Sequence, residues 1–197
     1  ALMRGDTQQT EQLLDSIDAM PDIGLLRGLT LRLRATVDLI RGDLALARAH
    51  VAESAEILED CDSPGDRIES LLLLGYVFLT EGDTEEALRI FDRCLEWYRL
   101  TGNGLMTAVA YNHRGDAFRR AADLDGAERD YRQALEIAEP LRASHAAVAR
   151  ANLALVSLAR QQYQLAGRYA TEVFEQGNGT AELTVTLHLV LAACAGA

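Results

Sequence analysis

Gly82-Asp83-Thr84-Glu85-Glu86-Ala87-Leu88-Arg89-Ile90-Phe91 is the stretch on which the fold turns. Gly accepts the left-handed conformation that ends one helix, and Asp caps the exposed N–H groups of the next. Asp83 and Glu86 stand at capping-box spacing. Five residues after the glycine comes small Ala87, and four beyond that comes large Phe91. A small residue lets two helices approach closely, while the aromatic ring fills the wedge behind it. Working outward, the same device recurs about every forty residues, at Gly5-Asp6, Gly42-Asp43, Ala122-Asp123 and, in degenerate form, Gln161-Gln162. Ala47 and Ala127 repeat the small position, with Thr10 in the first copy. Tyr131 repeats the large one, with Leu14 and Val51 in poorer copies. Upstream, Gly75 and Gly115 open a matching notch in the preceding helix. Self-similarity at a fixed period of this length predicts a tandem-repeat architecture.

A second set of breaks alternates with the first: Asp62-Ser63-Pro64-Gly65, Thr101-Gly102-Asn103-Gly104, residues 140–144 and Gly177-Asn178-Gly179. Together they cut the chain into segments of roughly 15 to 20 residues, ordinary helix lengths. Within the segments apolar residues recur at three and four, as in Leu71, Leu74, Phe78 and Leu88, Phe91, Leu95. Sustained period-two alternation is missing, so the sequence predicts an all-α chain.

These residues carry a resemblance. Gly75, Phe78, Gly82, Ala87, Phe91 and Cys94 resemble the tetratricopeptide repeat, as do Gly115, Phe118, Ala122, Ala127, Tyr131 and Ala134. Ala154, Tyr163, Ala166, Ala170 and Val173 look like a further copy shifted by one residue, and Ala35, Gly42, Ala47 and Val51 like a weaker one. The length of the repeats resembles the kinesin-light-chain-like and bacterial regulatory branch. The resemblance implies a right-handed α-α superhelix of antiparallel helix pairs, about nine helices. Its expected division is a partial repeat over 1–21, repeats over about 22–63, 64–103, 104–143 and 144–179, and a partial repeat over 180–197. Residue 1 is Ala and Gly5-Asp6 is already a mid-repeat turn, so the expectation is a window cut from a longer solenoid, part of a multidomain protein. At the far end Leu183, Leu187, Val190 and Leu191 read as an uncapped apolar face, which predicts self-association, possible as a homodimer.

Composition narrows the function. The net charge of -11 argues against nucleic acid and against anionic membrane surfaces. All nineteen cationic residues are Arg. Cys61, Cys94 and Cys194 are odd in number and scattered, which fits a reducing, cytoplasmic setting. The apolar run over 183–195 is too short to span a bilayer. His50, His113, His145 and His188 have no second His or Cys one helical turn away, so no metal site is expected. Phosphate loops and nucleophile elbows are missing too, and neither catalytic residues nor a cofactor is expected. Arg-Gly-Asp occurs at Arg4, Arg41 and Arg114; two copies are repeat turns and the third lies inside a helix. Trp97 and Phe91 fall on an apolar stripe, where core packing is the stronger reading.

The resemblance implies that the first helix of each pair lines a concave trough whose exposed positions touch a protein or peptide. That face maps to Arg32 in one repeat, Glu69 and Tyr76 in the next, then Asn112, His113, Asp116 and Arg119, then Asn152 and Leu155. Asn112 and Asn152 are one repeat apart, and related asparagines hold a peptide backbone in the kinesin-light-chain-like branch. The basic clamp for a C-terminal carboxylate is absent. The expected function is a non-catalytic protein- or peptide-binding scaffold, the sensing or docking region of a larger bacterial signalling or transcriptional regulator. A small-ligand or signalling-peptide receptor and a self-assembly segment are the alternatives.

Overall fold

The computed structural model describes residues 9–10, 12–17, 24–141, 144–175 and 181–196. Gly5-Asp6 and Gly177-Asn178-Gly179 lie outside the described residues. Among the described residues, helical positions at 9–10 and 12–17 precede nine helices: α1 (Gly24–Arg41), α2 (Leu44–Asp60), α3 (Pro64–Glu81), α4 (Thr84–Leu100), α5 (Gly104–Arg120), α6 (Leu124–Ala138), α7 (His145–Ala159), α8 (Tyr163–Glu175) and α9 (Ala181–Ala195). Among the described residues there is no strand. Contacts divide the chain into two compact units, Ala1–Ile90 and Phe91–Ala197, with the division falling inside α4. In the first unit α2 packs on both α1 and α3. In the second, α6 packs on α5 and α7, while α8 packs on α7 and α9.

Six of the sequence breaks, drawn from both sets, close in the same way. In each, an N–H just past the helix end bonds back to a carbonyl five residues earlier: Asp43 to Asp38, Ser63 to Leu58, Asp83 to Phe78, Asn103 to Tyr98, Asp123 to Phe118 and Gln162 to Ser157. The residue between is left-handed every time, at Gly42, Asp62, Gly82, Gly102, Ala122 and Gln161. This double closure satisfies carbonyls that the helix end would otherwise strand. The Asp83, Asn103 and Asp123 side chains then accept an N–H from the residue three further on, at 3.1, 3.1 and 2.8 Å. Asp43 makes no such cap, and the Ser63 hydroxyl donates instead to the Asp66 carboxylate.

Ala122 sits at φ 62, where a Cβ crowds the following carbonyl oxygen. Ala122→Gly is expected to stabilise the second unit by about 0.5–1 kcal/mol, strain relief exceeding the added chain entropy. Urea denaturation measures it; a midpoint that falls would show that the turn holds Ala without strain.

The small and large positions meet as the sequence requires. Ala47 and Val51, Ala127 and Tyr131, and Ala166 and Ala170 are all fully buried. A Cβ built on Gly115 would stand 2.6 Å from Tyr131 Cε1, so only glycine admits this ring. Gly28 is a second notch in the first unit, where a Cβ would stand 2.7 Å from Leu58 Cγ. Arg114 and Asp116 flank the Gly115 notch and complete it. The Arg114 guanidinium forks onto Asp130 at 2.6 and 2.9 Å, and the Tyr131 hydroxyl donates to Asp116 at 2.6 Å. Arg114-Gly115-Asp116 is thus a three-point socket for α6.

One expectation about α9 is corrected. Leu187 and Val190 are buried against the apolar interior of α7 and α8, with Leu183 and Leu191 partly buried beside them. The outward apolar residues are Val185 and Leu189, 62% and 67% exposed. α9 is apolar on most sides, so periodicity alone could not say which side meets its neighbours. Among the described residues no helix is long and apolar enough to cross a membrane.

Candidate functional site

In the first unit, Arg32 on α1 and Glu69 on α3 come together. The guanidinium donates to Glu69 Oε2 at 2.5 Å and to the Asp66 carbonyl at 3.4 Å. The pair is half-buried on the Arg side and open on the Glu side, so its charges largely cancel for an incoming ligand. Tyr76, one turn beyond Leu72, is 37% exposed and presents an aromatic surface.

The second unit holds the denser constellation. α5 places Asn112, His113, Asp116 and Arg119 along one side, and α7 supplies Asn152 and Leu155. Arg119 Nε donates to the Tyr131 hydroxyl at 3.3 Å, and Nη2 to Asp116 at 3.4 Å. Burial disfavours the Arg119 cation, but Tyr131 and Asp116 outweigh it and raise the group above its ordinary range. Burial, with Asp116 as acceptor, likewise raises the Tyr131 hydroxyl, which therefore stays a neutral donor. His113 stacks on Phe91, ring centroids 5.7 Å apart and 19° from parallel.

The turn hydrogen bonds fix the true register of the repeats. Asp123 bonds to Phe118 and Gln162 to Ser157, an offset of 39 residues. Asn112 is therefore equivalent to Ala151, and Asn152 to His113. The expectation that Asn112 and Asn152 share one position fails, because the turn at Gln161-Gln162 comes one residue early. Burial agrees: Asn112 and Ala151 are 4% and 1% exposed, whereas His113 and Asn152 are both half-buried. In the repeat before, the same position is Leu72, 6% exposed. Asn112 is thus a carboxamide in an apolar slot, and neither its Oδ1 nor its Nδ2 has a hydrogen-bond partner.

His113 offers a pH test. Burial lowers its pKa from the ordinary 6.5, opposed by Asp116 and assisted by His145. The unfolded chain then takes up the proton first. Stability is full above the ordinary value and falls as pH drops toward the depressed one. His113→Asn is expected to flatten the decline in urea midpoint between about pH 7 and 5, a decline limited to about 1.4 kcal/mol per pH unit for one proton. Parallel profiles for variant and parent would remove His113 as a cause.

Sequence reading missed three features. His50 Nδ1 lies 2.7 Å from Asp38 Oδ2, pairing α2 with a carboxylate that is only 7% exposed. Arg114 also reaches Asp92 at 2.5 Å and lies over the Tyr111 and Phe118 rings. Beside it is a shallow cavity of about 430 Å³ lined by Asp92, Leu95, Glu96, Arg99, Leu100 and Tyr111. These partners are 12 to 22 residues apart on different helices, and no local pattern announces them. Cys94 is fully buried, and burial pushes its thiol up to about 12, against a small opposing pull from Arg93, so it is an inert core residue. Among the described residues no three His, Cys, Asp or Glu side chains gather as metal ligands.

Comparison with known proteins identifies the repeat. Residues 66–139 match the tetratricopeptide repeat. No curated protein matches the sequence significantly. Among solved structures, a Rap protein complexed with Competence and Sporulation Factor superposes with TM-score 0.85 and 16% identity, covering 95% of this chain. A putative kinesin light chain of Podosopora anserina with nearly identical TPR-like repeats gives 0.66 and 15%, covering 88% of this chain and 86% of its own. A signal transduction ATPase with numerous domains from Pyrococcus horikoshii, which has a tetratricopeptide repeat sensor, gives 0.73 and 16% over 98% of this chain. The chain spans 56% of the Rap protein and 29% of the ATPase. At these identities the likeness concerns the fold, an all-α array of helix pairs. Residues 66–139 carry the tetratricopeptide repeat, within an all-α array of helix pairs.

Proposed function

We propose that this chain is a non-catalytic scaffold that binds a protein or peptide along the α5 and α7 face, as the sensing or docking region of a larger bacterial signalling or transcriptional regulator. One observation carries the reading. Asn112 occupies a slot that neighbouring repeats fill with Leu72 and Ala151, and its amide has no partner in the fold. A buried donor and acceptor left unmade cost stability, and such a cost is expected where function demands the residue. The amide's paired donor and acceptor match those of a peptide bond. The Rap structure with a bound factor and the ATPase with a repeat sensor support the same class of role.

The test is a peptide selected against the intact chain from a displayed library. Asn152→Glu and Arg119→Glu are expected to weaken it at least tenfold, and Arg129→Glu, on the exposed side of α6, to leave it unchanged. Equal affinity across all three variants would move the docking surface elsewhere. A second reading, self-association through α9, is favoured by exposed Val185 and Leu189. Light scattering that shows a monomer across a hundredfold range of concentration would remove it.

A further inference from the structure

We infer that this chain pairs with a second copy of itself through the far half of α4, laid antiparallel on the same segment of the other copy. The observation that carries this is a pair of charges the fold leaves unused. Glu96 and Arg99 stand three residues apart on α4, both exposed, and neither side chain makes an ion pair or hydrogen bond among the described residues. Elsewhere the same spacing and order do close: Arg89 reaches Glu86 at 2.8 Å, and Arg119 reaches Asp116 at 3.4 Å. Beside them Leu100 is 79% exposed, more than any other large apolar side chain among the described residues.

The occupant follows from order and sign. Asp92, Glu96 and Arg99 fall on one side of α4, the side bordering the 430 Å³ cavity, with Asn103 in the turn beyond. A second α4 running the opposite way about a two-fold axis between residues 97 and 98 sets residue 96 against 99 and residue 92 against 103. Glu96 of each copy then meets Arg99 of the other, twice, as a two-fold interface requires. Asp92 meets Asn103, whose Oδ1 accepts the Met106 N–H and whose amide hydrogens are the donors left for it. Leu100 is covered at the edge of the seam. A chain of net charge -11 repels its own copies unless the contact is locally balanced. Here Asp92, Glu96 and Asp130 are matched by Arg93, Arg99 and Arg114, and Asp92 and Asp130 already hold the Arg114 guanidinium. The overlap over 92–103 is about 18 Å long at 1.5 Å per residue, which places the interface in the small, transient class below about 1,200 Å². Its exposed ion pairs make the dimer weak and salt-sensitive.

Sedimentation velocity on the intact chain at low salt tests this. A monomer–dimer equilibrium is expected, and Glu96→Arg and Arg99→Glu should each weaken it at least about tenfold, because each sets like charges together at two places. Mixed in equal amounts, the two variants should pair with each other and recover the parent's affinity, and the doubly reversed chain should do so alone. Both side chains are exposed and unpaired, so neither reversal removes a contact of the fold. Leu100→Ser should also weaken pairing, whereas Val185→Ser on α9 should not. A parent chain that stays monomeric up to millimolar concentration overturns the proposal. A dimer that ignores both reversals does so too, as does a mixture of the two variants that stays monomeric. Loss of the dimer with Val185→Ser alone would put the contact on α9 instead.

Discussion

Tyr131→Ala is expected to destabilise the second unit by about 3–5 kcal/mol, the range for deleting a fully buried aromatic side chain. The ring is 0% exposed, lies against Gly115 and ends in a hydroxyl held by Asp116 and Arg119. Its loss empties the notch and leaves a half-buried carboxylate with only a weak partner. Tyr131→Phe keeps the ring and removes one charge-assisted hydrogen bond, for an expected cost of about 1.5–3 kcal/mol. Gly115→Ala approaches the same contact from the other side, because its Cβ would lie 2.6 Å from the ring, and overpacking of this kind costs about 1–3 kcal/mol. A double-mutant cycle isolates the contact: with Tyr131→Leu in place, Gly115→Ala should cost markedly less than it does alone. Trp97, the single tryptophan, lies in the second unit and reports urea unfolding there. Additive single-site effects would mean that ring and notch are independent.

The notch-and-ring device was legible because it is local and repeated. Gly115, Ala127 and Tyr131 announce themselves by spacing, and their copies at Ala35, Ala47 and Val51 occupy the core of the first unit. The turns were legible for the same reason, down to the substitution of Ala122 for glycine. The register of the last pair was legible only in part. Its core residues read as a copy shifted by one, but with no glycine at Gln161 to anchor the count, counting forty from Asn112 led to Asn152 instead of Ala151. A one-residue error on a helix rotates a side chain by about 100°, enough to confuse a buried slot with a rim position. Partners such as Arg114 with Asp130, or His50 with Asp38, were beyond reading for a different reason. Each side chain alone looks like ordinary helix surface polarity, and only the packing of two helices reveals the pair.

Burial of Asn112 turns the functional reading into a prediction with two opposite signs. Asn112→Leu replaces an unpaired carboxamide with the residue type that the preceding repeat carries at Leu72, at similar volume. Removing a buried donor and acceptor that lack partners is expected to stabilise the second unit by about 1–3 kcal/mol, read from Trp97 fluorescence in urea. The same substitution deletes the group proposed to pair with a peptide backbone, so affinity for a selected peptide should fall at least tenfold. A residue that serves only the fold cannot behave this way, since its replacement would lower stability and leave binding to the intact fraction unchanged. Asn112→Ala separates the contributions further: it removes the amide but leaves a void, so its stability gain should be smaller than that of Leu while the loss of binding matches. The equivalent substitution Ala151→Leu, one repeat on, is the control for overpacking, because that slot already holds a small apolar residue, and it should destabilise. Should Asn112→Leu lower stability, the amide is satisfied by buried water in solution, and the slot is a hydration site of the fold. Should stability rise with affinity intact, the unpaired amide serves no ligand on this face, and Asn152 and Arg119 would have to carry recognition without it.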